Sequence, residues 1–305
     1  MLAFVARRLG QAVLVVFGAS TLAFLVIRLL PGDPVETMFA TLAIPEGVKE
    51  QIRAEMGIGD PLPVQYLHFL ADLLRGRFGT SMTSGNPVGA EIATQAGSTL
   101  QLAGLSIVVA LVLGFGSGIL AARRPDGWVD RLITTLQMAF VATPVFWVGI
   151  VLLMVFSFNL GWFPATGSEG FDSLVLPAFT LALPTSAIIG QLLRDGLRQV
   201  LWEPYIVTAR AKGLGEWAVL LRHALRNSLV SVVTVLGVVL GSLLSGAVVV
   251  ETIFARQGLG RLALNAIMAK DYPMVQAVVV LAAVAYVTIN VVVDVVYAAV
   301  DPRIR

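Results

Sequence analysis

The sequence predicts an all-α integral membrane protein with six spanning helices and both termini in the cytoplasm. Three observations carry that expectation. The 305 residues are 57% hydrophobic and only 13% charged, with a mean hydropathy of +0.86, whereas a soluble domain carries roughly 25% charged residues. Six apolar runs approach or exceed the roughly 20 residues that a helix rising 1.5 Å per residue needs to cross a bilayer. The basic residues between those runs are unevenly shared: thirteen fall on the segments that would face the cytoplasm and seven on the outer ones, with Arg28 near the outer end of the first run. That bias orients the chain by the positive-inside rule.

The elements follow in order. Residues 1–8 form a short cytoplasmic N-terminus, and Leu9–Leu30 the first span. Arg7-Arg8 before an apolar run resembles a secretion signal, but the run is too long for a signal core and no small-residue cleavage site follows, so an uncleaved helix is expected. Residues 31–98 form an extracytoplasmic loop, in which "PVQYLHFLADLLRGRFG" sets Tyr66, Phe69, Leu70, Leu73 and Leu74 on one helical face and leaves His68 on the polar one. Thr99–Ala122 and Leu132–Phe156 are the second and third spans. The fourth, Leu176–Leu193, is interrupted by Pro177 and Pro184, which membrane helices tolerate when neighbouring groups satisfy the freed carbonyls. Leu229–Ile253 and Met274–Val300 complete the set, and 301–305 return to the cytoplasm. Ala110, Gly114, Gly118 and Ala122 recur every four residues, as do Gly237, Gly241 and Ser245; both stripes read as helix-packing seams.

Composition also excludes. With no cysteine there are no disulfides or thiolate metal sites, and His68 and His223 are not at ligand spacing. A net charge of +2 gives no nucleic-acid footprint. No G-x-x-x-x-G-K-[ST] is present, so the chain has no P-loop of its own. Asp294 is the clear carboxylate within a span; Gln137, Gln191 and Asn290 are polar groups that either line a translocation path or bond between helices. The spans therefore read as a conduit without its own energy source, and a self-sufficient secondary carrier is the weaker alternative.

One polar segment stands apart. "EPYIVTARAKGLGEWAVLLRHALRN" (203–227) lies between two spans on the cytoplasmic side. Glu203-Pro204 starts a short helix, Gly213 and Gly215 break it, and a second helix from about Glu216 runs into the fifth span. Two short helices and a glycine hinge make a compact cytoplasmic knob.

This segment resembles the EAA loop of ABC-importer permeases, aligned on Gly213. Val207 and Thr208 replace the glutamate and first alanine, Ala209 matches the second alanine, and His223 and Arg226 stand for isoleucine and proline. These substitutions are those of the dipeptide/oligopeptide/nickel permease family. "VIRLLPGDP" (26–34), "RGRFGTSM" (75–82), "ATPVFWVGI" (142–150), "GWFPATG" (161–167), "VVETIFARQGLGRL" (249–262), "DYPMVQ" (271–276) and "DPRIR" (301–305) extend the likeness over the chain. The short N-terminus and long first loop are like the B-type subunit. The resemblance implies a type I ABC importer permease moving di- or oligopeptides, with nickel, glutathione or another small solute as the alternative. It further implies a C-type permease partner, two cytoplasmic ATPases that hold ATP and magnesium, and an extracytoplasmic peptide-binding protein; no cofactor is bound by this chain. Glu203, Tyr205, Thr208, Ala209, Arg210, Ala211, Lys212, Gly213, Leu214 and Gly215 would be the ATPase-coupling residues, with Ala209 and Gly213 allowing close docking and Arg210 and Lys212 reaching acidic groove residues.

Overall fold

A computed structural model describes residues 2–29, 45–55 and 59–300. The proline-rich end of the first family motif and the C-terminal "DPRIR" lie outside the described residues. The helices, in order, are α1 (Leu2–Leu29), α2 (Glu46–Glu55), α3 (Leu62–Leu74), α4 (Val88–Arg123), α5 (Trp128–Ala142), α6 (Val145–Leu152), α7 (Asp172–Val200), α8 (Pro204–Ala211), α9 (Leu225–Ile253), α10 (Leu259–Met268) and α11 (Tyr272–Val300). Among the described residues five helices are long and apolar enough to cross a membrane, or six if one bent pair counts as a single span. The chain divides into two compact units, one of residues 1–6, 98–261 and 288–305, the other of 7–97 and 262–287.

The bent pair is a departure from the expected continuous third span. α5 and α6 meet at 109° across Thr143-Pro144. Proline has no amide hydrogen and pushes the residue before it out of the helical region; Thr143 accordingly sits at φ −89°, ψ 128°. Beyond the break, α6 widens into π-type i→i+5 bonding over Leu153–Asn159. The prolines of α7 behave differently, since that helix runs through Pro177 and Pro184 without a break. Hydroxyls of Thr180, Thr185 and Ser186 donate back to the carbonyls of Leu176, Leu181 and Leu183 within the same helix.

α7 organises the first unit and is buried along most of its apolar length. α4 packs against it through the small-residue stripe. Ala110 and Ala122 are fully buried, and a Cβ on Gly114 would lie 2.8 Å from that of Ile189. One on Gly118 would lie 2.8 Å from the carbonyl oxygen of Gly190. Backbones this close admit only hydrogen at both positions. α4 also begins at Val88, well before the expected start at Thr99.

The end of α9 is fixed by a buried carboxylate. Glu251 accepts a hydrogen bond from Thr99 Oγ1 at 2.6 Å and from the amides of Gly260 and Arg261 at 2.8 and 3.1 Å, capping α10. Thr99 in turn accepts the Leu259 amide at 2.8 Å. A Cβ on Gly258 would come within 2.3 Å of that carboxylate, which explains this glycine of "QGLG". Arg256, almost fully buried, donates to Ser173 at 3.3 Å; burial pushes its guanidinium below the ordinary value and Glu251 pulls it back.

In the second unit, α3 lies against α1 with the expected face. The Tyr66 ring packs on Phe17 and Phe24, Phe69 packs on Phe24, and the Tyr66 and Thr21 hydroxyls are 2.6 Å apart. His68 is exposed as anticipated, while Leu74, assigned to the packing face, is 88% exposed at the helix end.

Candidate functional site

The segment after α7 folds as two helical pieces around one tight turn. Glu203 takes an extended conformation (ψ 144°) and Pro204 opens α8, where a missing amide costs nothing. Glu203 makes no side-chain cap bond, so its contribution at this end is charge alone. The helix ends in a paired-bond glycine motif: the Gly213 amide donates to Arg210 at 2.9 Å and the Leu214 amide to Ala209 at 3.4 Å. Gly213 has φ +83°, a conformation that side-chain-bearing residues avoid. Gly215 differs. It caps the next helix at φ −65°, ψ 151°, open to any residue, so only one of the two expected hinge glycines is required by backbone geometry. Helix then continues through Glu216–Ala218 and a π-type stretch, Val219–Ala224, into α9.

Burial separates two faces of α8. Ile206 (0% exposed) and Ala209 (7%) point inward and join Val219, Leu220 and Ala224 in a cluster that reaches Leu193 and Leu197 of α7. Burying one such aliphatic side chain contributes roughly 1.5–3 kcal/mol, so the knob is seated on the bundle rather than tethered to it. Ala209, expected to allow close docking, is packed inside the chain, where its small size lets α8 sit close to its neighbours. Val207, Thr208 and Ala211 face outward, with Lys212, Gly213, Leu214 and Gly215 also exposed.

Polar contacts brace the outer surface. Arg210 forms a two-pronged pair with Glu216 at 2.9 and 3.1 Å. Both side chains are well exposed, so the pair contributes about 0–1 kcal/mol and orders the turn rather than holding it. It also engages the arginine expected to reach a partner. Asn227 donates to the Tyr205 hydroxyl at 2.7 Å, tying α8 to the start of α9. The Thr208 hydroxyl donates to the Pro204 carbonyl at 3.2 Å, and the guanidinium of Arg123, at the end of α4, stacks 4.7 Å from the Trp217 ring.

The candidate path residues are dispersed. Gln137 is buried in a helix seam; its Nε2 donates to Ser117 Oγ at 3.0 Å, and Gly190 leaves it room. Gln191 on α7 is half-buried, and Asn290 on α11 is half-buried with its Oδ1 3.0 Å from where a Cβ of Gly237 would lie. In the second unit a pocket of about 170 Å³ is lined by Ser81, Glu91, Asn265, Asp271 and Met274. Its carboxylates are already engaged, Asp271 by the Ser81 hydroxyl and the Met274 amide and Glu91 by Ser84 and Asn86. No cluster of three or more metal-ligating side chains occurs among the described residues.

Residues 114–305 match the binding-protein-dependent transport system inner membrane component family, and residues 1–99 match the N-terminal region of such membrane components. The chain is 40% identical over 305 residues to the glutathione transport system permease protein GsiC of Escherichia coli strain K12, covering 100% of this chain and 99% of that one. The protein of the same description from Shigella dysenteriae serotype 1 gives the same figures. Among solved structures, an inward-facing methionine ABC transporter, MetNI, aligns at TM-score 0.59 and 17% identity over 69% of this chain and 96% of that one. An amino acid ABC transporter aligns at TM-score 0.54 and 14% identity, over 69% and 94%. The described helices thus share the fold of ABC importer permeases.

Proposed function

Because this chain belongs to the binding-protein-dependent transport system inner membrane components, in the peptide-importer branch, we propose that it is energised through the knob formed by α8 and the Gly213 turn. It is a multi-pass inner-membrane permease subunit; ATP hydrolysis resides on separate subunits. The observation that carries the coupling assignment is the seating of α8: its inner face is locked into the bundle by Ile206 and Ala209, while Val207, Thr208 and Ala211 present a low outer surface. A rigid knob transmits displacement from a docked ATPase to α7 and α9 without being compressed. On this reading both termini are cytoplasmic, the bent pair α5–α6 counts as one of six spans, a homologous C-type permease completes the path, and a binding protein delivers the solute from outside.

For the solute, the full-length likeness to glutathione permeases favours glutathione, or a similarly short peptide, over general di- and oligopeptide import. A secondary carrier is disfavoured because Asp130, Glu251 and Asp271, buried carboxylates among the described residues, are each already held by hydrogen bonds. The test is uptake by the complete complex with its cognate binding protein in proteoliposomes. ATP-driven accumulation of labelled glutathione at several-fold the rate of dipeptides or nickel is expected, and preference for a dipeptide or nickel would overturn the assignment.

A further inference from the structure

The turn joining α4 to α5, "RRPDGWVDR" (123–131), is sorted by charge. Both of its acids are paired with arginines of α7, Asp130 buried and Asp126 exposed. Asp130, 2% exposed, is bound by Arg194 of α7 through two contacts at 2.5 and 3.0 Å. Asp126, at φ +64°, takes Arg198 at 3.1 Å while its own amide donates to Asp130 at 2.8 Å. Arg198 also lies 3.7 Å from Asp130. The arginines of α7 thereby consume the negative charge of the turn.

The turn's own arginines face outward. Arg123 stacks on Trp217, and Arg124 and Arg131 are exposed and make no ion pair or side-chain hydrogen bond among the described residues. Between them Trp128, the first residue of α5, is 77% exposed. The exposed face continues along α5 as Leu132 and Leu136, one helical turn apart, at 51% and 49%. Cations and an indole at the end of a membrane helix, followed by an apolar stripe, have the two-zone chemistry of a lipid: charged headgroup, then acyl chain. A soluble acidic protein surface would leave the stripe unmatched.

We propose that this turn binds an anionic phospholipid, with Arg124 and Arg131 on the phosphate, the Trp128 indole at headgroup level, and Leu132 and Leu136 along an acyl chain. Guanidinium forks suit phosphate oxygens in two-pronged geometry. Through the Arg123–Trp217 stack the bound lipid would adjoin the segment that carries α8.

The test uses the assembled transporter in lipid nanodiscs, with photoactivatable phosphatidylglycerol or phosphatidylcholine carrying the same reactive group, and adducts located by peptide mass spectrometry. Phosphatidylglycerol should label residues 123–136 at least severalfold more than phosphatidylcholine, and the surface double variant R124Q/R131Q should bring the two to parity. Equal labelling by both lipids, or a preference unchanged in the double variant, would overturn the proposal. Labelling needs neither ATP nor solute, so this result is separable from the transport assignment.

Discussion

Gly116 and Gly118 lie two residues apart on α4 and meet opposite surroundings. A methyl group on Gly116 would meet nothing within 4 Å, while one on Gly118 would strike the backbone oxygen of Gly190 at 2.8 Å and Leu193 at 3.0 Å. Both belong to "GFGSG", and the spacing of small residues every four positions already separates them, because only Gly118 falls on the stripe with Ala110, Gly114 and Ala122. The partner across the seam was not legible: Gly190 admits Gln137 and Ser117, and that vacancy is a property of packing. Gly118→Ala should destabilise by about 1–3 kcal/mol through overpacking, and Gly116→Ala should be neutral or stabilise by up to about 1 kcal/mol through helix propensity. Thermal unfolding of the detergent-solubilised complex checks the pair. Equal shifts for both variants would contradict the seam.

At the scale of elements, the coupling segment shows which information is local. The start at Glu203-Pro204 and the turn at Gly213 follow from backbone chemistry and could be read from residue type. The inward face of α8 could not, since eight residues give too short a period to assign a side, and Ala209 looks as suited to docking as Ala211 does. Tertiary packing decides it, as it does for the Arg210–Glu216 pair and the Arg123–Trp217 stack. The break at Pro144 likewise escapes the apolar pattern, which runs on through it, although Pro177 and Pro184 bring no break at all. The orientation of α8 has a direct check, because the chain has no native cysteine. Ala211→Cys should react rapidly with a soluble maleimide in the isolated chain and at least several-fold more slowly once the ATPases are bound. Equal rates would place the docking surface elsewhere.

For the whole molecule, the division of labour follows from what the chain holds and lacks. It has a bundle organised on α7, a buried carboxylate that ties the end of α9 to the amides of Gly260 and Arg261, and no phosphate-binding loop. In this family ATP hydrolysis resides on separate subunits, and α8 is an exposed short helix seated on α7 and α9 through a continuous apolar cluster. That the chain is an all-helical membrane protein was legible from composition and span length; the solute was not, because no sequence motif here marks a solute site. On the proposed coupling, ATP-driven motion passes through the Gly213 turn. This is tested most directly by ATP-driven uptake in proteoliposomes containing Gly213→Val transporters, with subunit composition measured on the same preparation. An inserted, complete complex with uptake reduced to the ATP-free background is expected. A complete complex with normal uptake would contradict it.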